Sequence, residues 1–286
     1  MPELPFVTIV AENLAPLVAG RTVEDVIVRG VSVLKTVSPP VADLRGRQVV
    51  GARRRGKLLV LHFSGGLAAV IHLRRNGRLR MVPRGGGRTV RDLALVLAFD
   101  QGPDLHMIEM GPKKAAALWV YPADRLDAAA PLAGLGLEPL SPEWTRDALA
   151  RALGAAGMRL KAFLVTQRYV AGIGNTYADE ILWEARLSPQ AMTTALGRDD
   201  VERLHAAVTS TLERGIASHR AAAAGALPMK EPPAHLAVHR RGGESCPRCG
   251  TRIAVIYYED RETYYCPACQ AGGKVYADRR RSRLLA

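Results

Sequence analysis

The chain has 286 residues, of which 48% are hydrophobic and 23% are charged, a composition typical of globular proteins with room for two domains. It has 40 lysines and arginines against 27 aspartates and glutamates, which gives a net charge of +13. No apolar run reaches the roughly 18 residues of a membrane span, and the N-terminus lacks the layout of a secretion signal. We therefore expect a cytoplasmic protein with no membrane partner.

Basic side chains are clustered along the chain. Each cluster lies at an expected turn or strand end, where long side chains can reach the phosphates of a nucleic acid. Nucleic acid is therefore the expected partner, although a basic surface that serves only solubility is the alternative. The clusters are Arg53–Arg55, Arg74–Arg75, Lys113–Lys114, Arg240–Arg241 and Arg279–Arg281.

The first 120 residues change from a helical pattern to a β pattern. Residues 6–19 carry apolar side chains at helical spacing, and Gly20 is suited to cap the end of that helix. Short β-rich runs follow from Val23 to Val120, with a hairpin signal at residues 64–66. Many short strands at regular spacing indicate an antiparallel sandwich or barrel, and we take the β-sandwich as the prediction.

The composition changes again after residue 121. Residues 122–140 are rich in alanine, leucine and proline and resemble a linker. Helical patterns follow, and the first begins at Ser141-Pro142, a suitable N-cap and N1 pair. This helix is expected over 142–156, with others over about 159–167, from the glycine turn at 172–176 to 185, and over 199–218. The alanine- and proline-rich stretch 220–240 is expected to be a mobile loop.

Four cysteines form two pairs of the Cys-x2-Cys type, separated by sixteen residues. In a cytosolic chain such pairs favour a metal over disulfides, and two tight turns can supply the four ligands of a tetrahedral zinc ion. Four thiolates leave no open position on the ion, so its predicted role is structural. Unrelated or redox-active thiols are the alternative. The ligands would be Cys246, Cys249, Cys266 and Cys269, held by a β-hairpin within residues 244–276.

The N-terminus can supply a nucleophile. Removal of Met1 would leave Pro2 with a free secondary amine beside the carboxylate of Glu3. An α-amine has a pKa of roughly 8, so it is neutral at pH 7 far more often than a lysine is. Such an amine can attack a sugar carbon and form an iminium ion. The ordinary alternative is that proline at position 2 only permits removal of the methionine.

Further motifs occur in a characteristic order: MPELP at the start, RRGK at 54–57, IHL at 71–73, NGRL at 76–79, GLEPL at 136–140, AGIGNTYADEIL at 171–182 and RETYYCPACQ at 261–270. With these motifs the whole chain resembles the formamidopyrimidine-DNA glycosylase/endonuclease VIII family. The resemblance implies an α+β fold, in which a helix precedes an N-terminal catalytic β-sandwich domain and a helical helix–two-turn–helix DNA-binding domain is followed by a zinc-finger β-hairpin. We expect these parts at 1–121 (sandwich), 122–140 (linker), 141–240 (helical domain) and 241–286 (finger and basic tail).

The resemblance also implies base excision with AP lyase activity. In this family the N-terminal proline attacks C1′ of a damaged nucleotide, displaces the base and forms a Schiff base, after which β,δ-elimination cuts the strand. Pro2 would be the nucleophile, and Glu3 would donate a proton to the sugar ring oxygen. Lys57 matches a lysine that contacts phosphate and assists elimination, although without its motif it could be an ordinary exposed lysine. Arg261 matches the finger arginine that holds the phosphate beside the extruded nucleotide.

Other residues are candidate DNA contacts. Asn175 lies in the helix–two-turn–helix motif, where Gly172 and Gly174 would let backbone N–H groups approach a phosphate. Asn175 could instead cap the helix that follows, or do both. Lys161 and His72 are weaker phosphate candidates, since His72 could equally be a strand residue without a ligand.

Some positions depart from the family pattern. Phe6 replaces a glutamate that is usual near the catalytic amine. Arg75 stands where a methionine usually fills the gap left by the extruded base, Lys113 replaces the arginine that reads the orphaned base, and Ala115 replaces a phenylalanine wedge. Lysine cannot pair as a bidentate donor and alanine cannot wedge a base step. We therefore expect the backbone chemistry to survive, with single-stranded, bulky or unusual lesions favoured over 8-oxoguanine paired with cytosine.

Two other functions remain open on the sequence alone. Phe6 and the altered wedge would also suit a damaged-DNA-binding protein with weak or absent catalysis. The finger and the positive charge would suit a zinc-ribbon protein associated with RNA. A monomer that binds damaged duplex or single-stranded DNA is the simplest interpretation.

Overall fold

The structure is a computed structural model that describes residues 1–232, 235–258 and 261–276, without the side chains of Tyr258 and Arg261. The chain divides into two compact units. Met1–Gly134 and Ile216–Pro232 form the first, and Leu135–Gly215 and Pro233–Ala286 form the second. The basic cluster at 279–281 lies outside the described residues, and the domain boundaries expected from the sequence stay predictions. No helix in the described ranges is long and apolar enough to cross a membrane.

Two four-stranded antiparallel sheets lie in the first unit, which confirms the predicted N-terminal β architecture. Their strand orders are β1-β6-β7-β5 and β2-β3-β4-β8. The strands are β1 (Val23–Val28), β2 (Val49–Arg55), β3 (Leu58–Phe63), β4 (Leu67–His72), β5 (Gly77–Val82), β6 (Leu93–Phe99), β7 (Asp104–Glu109) and β8 (Ala117–Pro122).

The core of the first unit is shared by both sheets and by the helix α1 (Leu4–Val18). Alternate residues of a strand point to the same face, and the alternate apolar residues of β3, β4, β6 and β7 enter one cluster together with one side of α1. The helix begins two residues before the predicted position because Pro5 fits the first turn, where its missing N–H is not needed. Gly20 follows the helix with a φ of +78°, as its predicted capping role requires.

Four helices lie wholly or partly in the second unit ahead of the finger, as the resemblance implied for a helix–two-turn–helix domain. They are α2 (Arg146–Ala156), α3 (Leu160–Val165), α4 (Asn175–Glu184) and α5 (Arg198–Ala223), of which α5 contributes its residues from Ile216 onward to the first unit.

Two predicted helix ends are wrong. The first helix does not begin at Ser141-Pro142, because the hydroxyl of Thr145 accepts a hydrogen bond from the backbone N–H of Ala148 at 3.2 Å and caps the helix there. The last helix continues past the expected end to Ala223, so the first residues of the stretch 220–240 are helical. Alanine has the highest helix propensity, which outweighed the loop-like composition of that stretch.

The zinc-finger hairpin is present as predicted. Strands β9 (Ala254–Tyr258) and β10 (Arg261–Tyr265) pair antiparallel, and the short helix α6 (Pro267–Ala271) follows. The hairpin brings the segment before β9, with the first cysteine pair, to the segment after β10, with the second.

Candidate active site

The N-terminal segment runs directly into α1. Met1 has 49% of its surface exposed, whereas Pro2 and Glu3 are buried. Glu3 is the N-cap residue of α1, and its carbonyl accepts a hydrogen bond from the N–H of Val7 at 3.1 Å. The start of the helix therefore fixes the backbone of Glu3, and removal of the outermost residue would uncover the ring nitrogen of Pro2.

Lys57 and His72 lie at the same end of the second sheet. Lys57 follows Gly56 in the turn between β2 and β3 and is 5% exposed, while His72 ends β4 and pairs in register with Leu58. Burial lowers the pKa of His72 to about 3, and the positive charges of Arg74 and Lys57 add to this effect. The structure thus places a buried cation beside a neutral imidazole.

We expect His72 to stay neutral at working pH with its proton on Nε2. The backbone N–H of Arg74 donates to Nδ1 at 2.9 Å, so Nδ1 must carry a lone pair. Nitrogen-15 NMR should show the Nε2–H tautomer unchanged between about pH 5 and 8. Below its ordinary pKa of 6.5 the unfolded imidazole binds a proton that the folded one does not, so the free energy of unfolding should fall as the pH decreases towards 3.

His72→Gln is the matched variant for this prediction, because glutamine keeps a polar side chain and does not titrate. It should flatten part of the acid-induced loss of stability, measured by urea unfolding at several pH values. An imidazolium signal for His72 near neutral pH would contradict the assignment.

The loops that carry Arg75 and Lys113 are joined through Asn76. The side-chain amide of Asn76 donates to the carbonyl of Lys113 at 3.2 Å, and the carbonyl of Asn76 accepts from the N–H of Met110 at 3.0 Å. The side chains of Arg75 and Lys113 are both exposed. The structure therefore joins the two loops that carry these predicted residues and leaves both side chains exposed on the first unit.

Glu109 stabilises the loop that carries Lys113, and it was not predicted from the sequence as a site residue. It ends β7 with 3% of its surface exposed, and its Oε1 accepts from the N–H groups of Ala115 at 2.7 Å and Ala116 at 2.6 Å. Its carbonyl also accepts from the ammonium of Lys114. A charged residue at the end of an apolar strand was a visible signal, but its backbone partners cannot be read from a sequence.

Asn175 contacts the finger hairpin from the first residue of α4. Its side-chain amide donates to the carbonyl of Glu262 at 2.9 Å, while Gly174 occupies the N-cap position, so the interpretation of Asn175 as a helix cap is wrong. The N–H of Gly172 donates to the side-chain carbonyl of Gln167 at 2.9 Å. The N–H of Gly172 is therefore satisfied inside the unit, and the approach of other backbone N–H groups of this turn to a phosphate stays a prediction.

Lys161 also contacts the hairpin, from α3. Its ammonium lies 2.7 Å from Oδ1 of Asp179, 2.8 Å from the carbonyl of Glu262 and 2.9 Å from the hydroxyl of Thr263. Asp179 is fully buried, and its other oxygen lies 2.7 Å from Nδ1 of His239. Lys161 and Asn175 therefore converge on one carbonyl, that of the residue after Arg261. The side chain of Arg261 itself lies outside the described part of the chain.

Glu180 fixes the segment that enters the finger. Its carboxylate accepts from three successive N–H groups, those of Ala237 at 2.7 Å, Val238 at 2.9 Å and His239 at 2.8 Å. Burial raises the pKa of Glu180, and these three donors oppose the shift. Asp179 and Glu180 were not predicted as structural residues, although two adjacent acids inside an apolar helix were a usable signal.

The four cysteine sulfurs lie within 4.8 Å of one another. Sγ of Cys249 is 3.4 Å from Sγ of both Cys266 and Cys269, and Sγ of Cys246 is 4.0 Å from Sγ of Cys269. A zinc ion with four sulfurs at about 2.3 Å holds those sulfurs about 3.8 Å apart, so the group fits one tetrahedral zinc ion. The indole N–H of Trp183 in α4 donates to Sγ of Cys246 at 3.3 Å, a hydrogen bond that would orient this ligand towards the ion.

Comparison with family models matches three successive parts of the chain. Residues 1–111 match the formamidopyrimidine-DNA glycosylase N-terminal domain, and residues 135–224 match the formamidopyrimidine-DNA glycosylase H2TH domain. Residues 243–272 match the zinc finger found in FPG and IleRS.

Whole-length relatives agree with these matches. The formamidopyrimidine-DNA glycosylase of Pelotomaculum thermopropionicum is 32% identical over 94% of this chain and 99% of its own length. That of Chloroflexus aurantiacus is 36% identical over 94% of this chain and 98% of its own length. The chain belongs to the formamidopyrimidine-DNA glycosylase family.

Solved structures of formamidopyrimidine-DNA glycosylases share the fold. Wild-type Lactococcus lactis Fpg (MutM) in complex with DNA containing an oxidised pyrimidine has a TM-score of 0.86 and 25% identity, covering 94% of this chain and all of that one. The same enzyme bound non-covalently to DNA containing an AP site has a TM-score of 0.84 and 25% identity, covering 94% and 99%. The α+β fold and the zinc-finger hairpin implied by the resemblance are thereby confirmed.

Proposed function

We propose that this protein is a base-excision-repair DNA glycosylase with AP lyase activity, which acts through a Schiff base on the amine of Pro2. The observation that carries the proposal is the N-terminus, where Pro2 and Glu3 are buried at the start of α1 in a chain that aligns with glycosylases over 94% of its length. Damaged duplex or single-stranded DNA is the proposed partner, and we propose that a monomer acts in the cytoplasm at the nucleoid.

The reaction needs few groups from the protein. The ring nitrogen of Pro2 would bond to C1′ of the damaged nucleotide, and Glu3 would protonate the sugar ring oxygen. Lys57 and the neutral Nε2–H of His72 lie together at one sheet end, where they can donate to a phosphate. Zinc, when bound, would stabilise the finger, and its four thiolates leave no position for substrate.

The contacts in the second unit support different roles for Arg261 and for the pair Asn175 and Lys161. Arg261 would hold the phosphate beside the extruded nucleotide, while Asn175 and Lys161 would position its strand through the carbonyl of Glu262. Asn175 remains a candidate for a direct DNA contact as well. In the first unit, Arg75 and Lys113 would occupy the space left by the extruded base as a pair, because Asn76 joins their loops.

The test is strand cleavage at an abasic site. Processed protein, with loss of Met1 verified by mass spectrometry, should cut an abasic duplex by β,δ-elimination and should give a covalent adduct when borohydride is added. A panel of oxidised, bulky and single-stranded lesions would then define base release. Tight binding of abasic DNA without cleavage or adduct would instead identify a damaged-DNA-binding protein, the alternative that Phe6 motivates.

A further inference from the structure

The position usually occupied by a glutamate near the catalytic amine is apolar in this chain. Phe6 is 1% exposed, and its ring packs edge-on against the ring of His219 at 5.8 Å and beneath the guanidinium of Arg78 at 5.1 Å. A phenyl ring can neither accept nor donate the proton that amine chemistry must move. The proton that leaves the Pro2 amine therefore needs an acceptor other than residue 6.

We propose that Glu231 is the proton acceptor for the amine of Pro2, an inference that rests on the proposed function. In the chain with Met1 present, Oε1 of Glu231 lies 3.6 Å from the terminal nitrogen of Met1. Both side chains are partly exposed, at 29% for Glu231 and 43% for Met1. The ion pair of the N-terminus is therefore made by a carboxylate from a distant part of the sequence.

The position of the amine after processing lies within reach of the same carboxylate. Successive backbone nitrogens are at most about 3.6 Å apart, so the ring nitrogen of Pro2 is within about 7 Å of Oε1 of Glu231. Removal of Met1 takes away the present partner of Glu231 and creates a new cationic terminus one residue further in. A glutamate side chain has three rotatable bonds and can follow the charge over this distance.

The segment that carries Glu231 is anchored on the first unit. The carbonyl of Ala226 accepts from the side-chain amide of Asn13 at 2.7 Å, and the carbonyl of Met229 accepts from Nε of Arg78 at 2.8 Å. The negative charge of Glu231 also opposes the burial that lowers the pKa of Arg78, so the carboxylate lies close to this guanidinium. The residue that packs over Phe6 thus also fixes the chain beside Glu231.

The step balances with two carboxylates in different roles. The lone pair of the Pro2 nitrogen forms a bond to C1′, the C1′–base bond breaks, and its electron pair leaves with the base. The N–H proton passes from the new ammonium to Glu231, which restores the nitrogen lone pair. That pair forms the C=N bond as the bond from C1′ to the ring oxygen breaks, and the oxygen takes its proton from Glu3. One residue cannot accept the first proton while it holds the second.

The test compares the rate of adduct formation on abasic duplex DNA among processed variants. Glu231→Gln should form the borohydride-trapped adduct about 100-fold more slowly than wild type, the lower end of general-base effects. Glu213→Gln, on an exposed face of α5, changes the net charge equally and should keep the wild-type rate. Glu231→Asp should recover most of the rate, and added formate should accelerate Glu231→Ala but not the wild type.

The outcomes separate this inference from the proposed function. If wild type forms an adduct and Glu231→Gln matches Glu213→Gln, Glu231 is not the acceptor and the glycosylase proposal stands. A slow Glu231→Ala that formate does not accelerate would also overturn the inference, since a loss of folding is not repaired by a small carboxylate. The absence of any wild-type adduct would overturn both proposals.

Discussion

A chain that keeps Met1 should neither cut abasic DNA nor form a borohydride adduct, whereas the same protein after removal of Met1 should do both. With Met1 in place the nitrogen of Pro2 belongs to a peptide bond, whose lone pair is delocalised and cannot attack C1′. The rate should therefore fall to that of the uncatalysed reaction, because covalent catalysis is lost entirely. The measurement is single-turnover cleavage, with the mass of each preparation determined beforehand.

The retained-Met1 form is its own control for folding and DNA binding, since Met1 is half exposed and buries little. Its melting temperature and its affinity for abasic DNA should match those of the processed protein. Pro2→Gly adds a second comparison, since a terminal glycine offers only a primary amine and should give a diminished adduct. Equal adduct from Pro2→Gly, or cleavage by the Met1 form, would point to another nucleophile.

Removal of zinc should unfold the finger and abolish cleavage. Zinc-finger peptides gain about 10–16 kcal/mol from their metal, and in the described part of this finger Cys246 and Cys266 belong to the same small apolar cluster as Ile253 and Tyr264. Cys266 is fully buried and is the N-cap residue of α6, so Cys266→Ala removes both a ligand and the helix cap. Metal analysis should give one zinc per chain for wild type, and the variant should lose zinc, thermal stability and affinity for abasic DNA.

Ser245→Ala is the matched control, because it lies beside Cys246 without offering a ligand. It should keep its zinc and its activity. Chelation of the wild-type metal should reproduce the effect of Cys266→Ala, and added zinc should reverse it. Full cleavage by the metal-free protein would show that the finger does not support the reaction.

Much of the architecture was predictable from local patterns. The short β-rich runs broken by turns predicted the strands, and the paired cysteines predicted the finger, since both signals act over a few residues. The start of α2 was misplaced because Thr145 competed with Ser141 for the cap, and α5 was cut short because alanine-rich sequence suits both helix and loop. Helix propensity alone could not decide whether Thr145 or Ser141 caps α2, or whether the alanine-rich residues at the end of α5 form helix or loop.

The candidate site was predictable only where a motif carried it. Pro2, Glu3 and Lys57 came from short matching stretches, and their roles remain proposals. The role of Glu109 could not be predicted because its partners are backbone amides, which no side-chain pattern reveals. The contact of Glu231 with the N-terminus could not be predicted, because more than 200 residues separate the two in the sequence. The segment around Glu231 has no periodic pattern that would point to the contact.

The three amides held by Glu180 have a consequence for the evolution of the finger. Separating the finger and residues 237–239 from α4 would leave the three N–H groups, of which that of Ala237 is half-buried, and the buried carboxylate of Glu180 without their partners, and each unsatisfied buried group costs about 1–3 kcal/mol or more. The helix α4, residues 237–239 and the finger should therefore be inherited together. Exchanges among relatives should place their crossover points before Asn175 or after the last cysteine, never between α4 and the finger.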